Sequence, residues 1–260
     1  MKNIFRYSFF DLIRSRWTLI YGGFYLVLTF ALIWLSGDLL KVITSLMNIT
    51  LMLVPLIALL FSSMYYYHSR DFVELLLAQP LKRTHIFIGQ YLGIAVSLGL
   101  SLLVGLGLPF LIFGVLGTSV LSHFFTLIGV NLMLTFIFVG LGFAGALRYE
   151  NRIKGFGLGI LIWLFFAVIY DGIVLLGLVV FRDYPLDHFA LGASIFNPID
   201  LSRILILLKL DISALMGYTG AVFQKFLGSN MGIMIAIGVL MLWVAIPIGR
   251  IRFLALRKDF

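Results

Sequence analysis

The chain has 260 residues, 62% of them hydrophobic and only 12% charged, with a mean hydropathy of +1.12. That balance excludes an ordinary soluble domain and indicates an integral membrane protein. The absence of cysteine excludes disulfides, thiolate metal ligands and cysteine nucleophiles, and the net charge of +8 reads as basic loops beside membrane spans rather than a nucleic-acid footprint.

The first sixteen residues, MKNIFRYSFFDLIRSR, predict a helix. Ile4, Phe5, Phe9, Leu12 and Ile13 share one face, with Lys2, Arg6, Arg14 and Arg16 around it. This suits an interfacial helix on an anionic inner leaflet, or simple positive-inside anchoring. The following apolar run lacks a small-residue cleavage site and reads as a retained span rather than a signal peptide.

Apolar runs occur at 17–36, 42–67, 86–116, 119–147, 155–181 and 231–249. Each can cross a hydrocarbon core about 30 Å thick, which needs roughly 20 helical residues. Six spans put both termini on one side. With the termini inside, fourteen Lys and Arg residues fall on the cytoplasmic side and five outside (Lys41, Arg182, Arg203, Lys209 and Lys225), and this bias sets the orientation.

Spans three and four are joined only by a turn at 117–119. Their length predicts a tilted or projecting hairpin with Pro109 as its kink. The outer segment 182–230 contains an Asn197-Pro198 turn, then Leu201, Leu205, Leu208 and Ile212 at helical spacing. It reads as amphipathic helices lying on the outer membrane surface, or as a capping loop.

Few residues could carry chemistry. Asp171 is the one ionisable residue well inside an apolar run, which makes it a functional candidate. Were the helix to end near Gly172, Asp171 would lie at the outer interface, and an Asp171→Asn change would be nearly silent. His68, His85, His123 and His188 have no helix-face spacing for a metal, and Met231 and Met234 read as packing, so no metal site is expected. No GxxxxGK[ST] loop occurs, so the chain is not itself an ATPase by that route. The glycines of GLGFAG, 140–145, suit close helix packing.

The least membrane-like stretch of the first half is HSRDFVELLLAQPLKRTHIFIGQYLG, 68–93. Ser69 is placed to cap a short helix whose first turn carries Asp71 and Glu74. Phe72, Val73, Leu75, Leu76 and Leu77 follow almost without a break. Pro80 ends the helix, and Lys82 and Arg83 close the loop.

This order, an acid, three leucines, Pro-Leu, a basic residue, Thr, two hydrophobics and Gly-x-x-Leu-Gly, resembles the signature after the second span of ABC-2 type transporter permeases. The resemblance covers nearly the whole chain. NPIDLSRIL, 197–205, resembles the NosY-like permeases that serve maturation of the nitrous oxide reductase copper–sulfur cluster. Gln90 departs from the lysine common at that place in the wider family.

The resemblance implies a single ABC-2 type transmembrane domain over 1–260. The fold class is all-α integral membrane, type V exporter-like: six transmembrane helices, an N-terminal interfacial helix (1–16), a cytoplasmic coupling segment (69–84) and outer amphipathic helices. It implies a multi-pass protein of the bacterial inner membrane with cytoplasmic termini, forming a homodimer with two cytoplasmic ABC ATPase subunits that bind ATP and Mg, and no cofactor of its own. A periplasmic β-helical accessory protein is implied in the NosY-like case. Arg70, Asp71, Phe72, Glu74, Leu75, Leu76, Pro80, Lys82 and Arg83 would couple to the ATPase. Arg182, Asn197, Pro198, Asp200 and Arg203 would dock the outer partner. The alternatives are an ABC-2 exporter of a lipid, peptide or antibiotic, and a passive membrane scaffold.

Overall fold

The computed structural model describes residues 1–115, 120–181, 187–210 and 230–257. The turn at 117–119, Arg182, Ile212, Lys225, Lys258 and the side chain of His188 lie outside the described residues. The helices are α1 (Lys2–Ile13), α2 (Arg16–Ser36), α3 (Leu39–His68), α4 (Arg70–Leu77), α5 (Arg83–Ile112), α6 (Leu121–Arg148), α7 (Arg152–Leu164), a π-helical turn (Phe165–Ile169), α8 (Tyr170–Val180), α9 (Asp187–Phe196), α10 (Pro198–Lys209) and α11 (Asn230–Arg257).

Among the described residues, six helices are long and apolar enough to cross a membrane: α2, α3, α5, α6, the continuous Arg152–Val180, and Met231–Arg257 of α11. These are the six expected spans, most of them extended at the basic end. Spans three and four are not singular in length, since α3 also has 30 residues. Pro109 lies within α5, three residues before its end.

Helix ends follow local chemistry. Gly37 closes α2 at φ 63°, a left-handed conformation that glycine adopts without a Cβ penalty. Asp38 then caps α3 by accepting from Leu40 N at 2.9 Å, and Asn151 caps α7 through Ile153 N at 2.9 Å.

Between helices in lipid, apolar surface gives no hydrophobic gain, so packing depends on close approach and hydrogen bonds. The most extensive pair is α3 with α6. There Gly142 faces the Leu59 backbone and Ser62, and the Ser63 hydroxyl donates to the Gly142 carbonyl at 3.2 Å. Gly140 similarly faces Pro247 and Tyr91, joining α6 to α11 and α5. The glycines at 140 and 142 therefore do pack helices.

The face expected on α1 forms: Ile4, Ser8 and Leu12 are buried and Phe5, Phe9 and Ile13 half-buried. Much of this face packs on protein. Ile4, Ser8 and Phe9 abut Gly89 and Gly93 of α5, while Arg6 and Arg14 flank the exposed Phe10 ring at 5.7 and 5.9 Å.

Of the outer segment 182–230, the described part, α9 and α10, packs inside the bundle. Phe189–Phe196 and Pro198–Lys209 meet at 115°, and α10 packs against α6, α11 and α3. The Trp243 indole donates to the Ile195 carbonyl at 3.0 Å, and the Asn197 amide to the Phe166 carbonyl at 2.9 Å. Trp243 is the fourteenth residue of the 28-residue α11, and Phe166 the fifteenth of the 29-residue fifth span. Both stand near mid-height, about 20 Å from either end at roughly 1.5 Å per residue, so the α9–α10 hairpin re-enters the hydrocarbon core.

Candidate functional sites

Two regions combine polar side chains with defined geometry. The first is α4, at the basic end. Val73 is buried, and Phe72 stacks on Tyr7 with centroids 4.6 Å apart. Leu76 and Leu77 pack partly on the core. Asp71 and Glu74 face outward with Leu75, which is 68% exposed. Arg70 and Glu74 pair at 3.0 Å across one turn, an exposed contact worth only about 0.3–0.5 kcal/mol. The outer face of α4 thus presents acids around an apolar centre.

The ends of α4 differ from the sequence reading. Ser69 makes no side-chain cap. Its hydroxyl lies 3.4 Å from the Tyr66 carbonyl and accepts from Gln90 Nε2 at 3.3 Å. The helix stops at Leu77, before Pro80, and Lys82 and Arg83 start α5 instead of merely closing a loop. Gln90, noted in the sequence only as a departure from the family pattern, is fully buried and ties the root of α4 to α5.

A second tie leaves the same root. The Tyr67 hydroxyl donates to the Tyr149 carbonyl at 2.9 Å and reaches the Asn151 carbonyl at 3.4 Å, while Arg152 donates to the Tyr67 carbonyl at 3.4 Å. Gly155 makes room for this hydroxyl, since a Cβ there would collide with it. The short helix is therefore rooted on α3 and linked to α5 and to the start of the fifth span. No sequence spacing announces contacts between residues more than 80 positions apart.

The second region is the re-entrant hairpin. Asn197 is fully buried. Its Oδ1 caps α10 by accepting from Ile199 N at 3.0 Å, with Pro198 in the first turn. Its amide donates to the Phe166 carbonyl and to Asp200 Oδ2, at 2.9 and 2.8 Å, and lies 3.5 Å from Asp171 Oδ1. Arg203 then pairs with Asp171 at 3.2 Å and Asp200 at 3.0 Å. The π-helical turn departs from the α-helical hydrogen-bond ladder by its i→i+5 pattern, and the carbonyl that Asn197 engages lies in it.

Asp171 lies nine residues before the end of the fifth span at Val180. It follows Phe166 by five residues, about 7 Å along the helix, and its charge is met by Arg203. The side chains of Arg203, Asp171 and Asp200 are 35%, 29% and 18% exposed. Two carboxylates share one guanidinium, an arrangement that low polarity makes costly to break. Of the residues expected to dock an outer partner, Asn197, Asp200 and Arg203 are joined to each other and to the fifth span, and Pro198 is buried at the start of α10. The sequence did contain the signal, an Asn-Pro followed by Asp and Arg at i+3 and i+6, but not its direction.

No group of three or more His, Asp or Glu side chains that could hold a metal occurs among the described residues.

No family model matches the chain. It is 26% identical over 220 residues to the "Probable ABC transporter permease protein NosY" of Pseudomonas aeruginosa, covering 78% of this chain and 80% of that protein. It is 29% identical over 262 residues to the protein of the same description from Stutzerimonas stutzeri, covering 95% and 88%. The likeness runs through most of the chain, and both relatives are described as probable ABC transporter permease proteins.

Proposed function

We propose that this chain is a NosY-type permease subunit that couples ATP hydrolysis by a separate cytoplasmic ATPase to movement of the outer half of its bundle, in support of copper–sulfur cluster maturation of nitrous oxide reductase. The observation that carries the reading is α4: a short helix with an exposed acidic and apolar face, rooted on α3 and linked to two further spans. Such a helix can fill a groove on a partner and pass its displacement inward. In this reading Arg70, Asp71, Phe72, Glu74, Leu75 and Leu76 form the contact or support it, while Pro80, Lys82 and Arg83 shape the return into α5. The basic end is cytoplasmic, the protein lies in the bacterial inner membrane as a homodimer bearing two ATPase subunits, and a periplasmic β-helical protein rests on its outer ends.

Displacement of α4 loads α5 through Gln90 and the fifth span through Tyr67. The fifth span leads to the π-helical turn, where Asn197 and Arg203 attach the re-entrant hairpin. Mechanical transmission fits this route better than passage of a solvated solute, because Asp171, Asn197, Asp200 and Arg203 are engaged with each other.

The test is co-purification with the candidate ATPase in mild detergent, followed by Glu74→Lys. The variant should reach normal membrane levels yet lose most permease-stimulated ATP hydrolysis. Unchanged assembly and stimulation would rule out α4 as the contact.

A further inference from the structure

A cavity of about 300 Å³ opens between α6, α10 and α11. Its walls carry Gly129 and Met133 of α6, Leu205 of α10, and Ile237 and Leu240 of α11, with Lys209 the one charged residue among the lining side chains. The lining is ordered by depth. Lys209 is the last residue of α10, and Phe125 and Ile233 lie near the outer starts of their helices. Met133, Leu205 and Leu240 lie deeper, the run from Phe125 to Met133 spanning about 12 Å. Nothing approaches within 4 Å of a Cβ placed on Gly129, so that wall is open.

A positive charge at the membrane surface above an apolar slot at hydrocarbon depth complements one kind of molecule, an amphiphile with an anionic head. We propose that this cavity holds an acyl chain of an outer-leaflet anionic glycerophospholipid, whose phosphate meets Lys209. The ammonium group acts as a point charge for the phosphate, and the apolar walls accept the chain as lipid does. The site borrows one wall from α10 but none of the side chains that join the hairpin to the fifth span, and only its assignment to the outer leaflet rests on the proposed orientation. An occupied cavity would brace α10 against α6 and α11, opposite the side on which Arg203 meets the fifth span.

The full chain, reconstituted in vesicles of phosphatidylcholine and phosphatidylglycerol at three to one, is illuminated with either lipid carrying a diazirine in its acyl chain. Labelled peptides are then mapped by mass spectrometry. Phosphatidylglycerol should label the peptides around Gly129–Met133 and Ile233–Leu240 about fivefold more than phosphatidylcholine. Lys209→Gln should remove that preference, and Gly129→Phe, which extends into open space, should suppress labelling by both lipids. Gly129→Ala, with unchanged labelling, controls for folding. The proposal is overturned if label spreads evenly over the apolar faces and neither variant changes it. It is equally overturned if a photoreactive group on Gly129→Cys joins segment 211–229 or a second copy while lipid does not label the cavity.

Discussion

The side-chain amide of Asn197 reaches the main-chain carbonyl of Phe166 at 2.9 Å, joining the tip of a re-entrant hairpin to a π-helical turn 31 residues earlier. The same side chain caps α10 through its oxygen and donates to Asp200 through its nitrogen. Asparagine alone supplies a capping acceptor and two donors in one planar group. Asn197→Asp keeps a good cap but turns the donor into an acceptor facing a carbonyl and two carboxylates. It should therefore destabilise more than Asn197→Ala, which loses about 2–3 kcal/mol through the cap and the orphaned carbonyl. The reversal of ordinary capping preference is checked by apparent melting temperature in detergent.

Arg203 holds two carboxylates, so its removal should cost more than loss of either acid. Arg203→Leu leaves Asp171 and Asp200 close together without a cation, a cost of about 2–3 kcal/mol given their partial exposure. Asp171→Asn leaves Arg203 its Asp200 partner and should cost roughly 1 kcal/mol. That is a measurable effect, unlike the near-silence expected of an interfacial residue. The double variant should recover part of the Arg203→Leu loss, and a thermal-unfolding cycle over the four proteins measures the coupling.

Gly155 exists to admit the Tyr67 hydroxyl. Gly155→Ala should displace that ring and break its bond to the Tyr149 carbonyl, while Tyr67→Phe removes the bond without moving the ring. If the tie transmits motion, Tyr67→Phe will lower permease-stimulated ATP hydrolysis severalfold with a melting temperature near wild type. Equal stimulation in both would restrict Tyr67 to packing.

Gly142→Val should be among the worst apolar substitutions in the bundle. Its Cβ would meet the backbone of Leu59, which cannot swing aside, and separating α3 from α6 loosens the most extensive helix pair. A loss of about 2 kcal/mol or more is expected. Gly129→Val, into open space, should leave the melting temperature unchanged.

The six spans were legible because each needs about 20 apolar residues and charge is costly at depth. The short polar helix was legible for the complementary reason: Arg70, Asp71 and Glu74 interrupt two apolar runs where lipid would not tolerate them. Even the glycines at 140 and 142 could be read as packing positions, because small residues are what allow helix backbones to approach in lipid.

The tertiary structure alone decided what these pieces meet. Leu201 and Leu205 read as an amphipathic face, but hydropathy cannot distinguish a helix on the membrane from one within the bundle, since both bury apolar side chains. Asp171 read as a solitary charge because its partner stands 32 residues away, and Gln90 read as a deviation because Ser69 lies across a turn. Local sequence sets the cost of placing each polar group at depth; the partner that offsets that cost is chosen by how the helices cross, which no single stretch encodes.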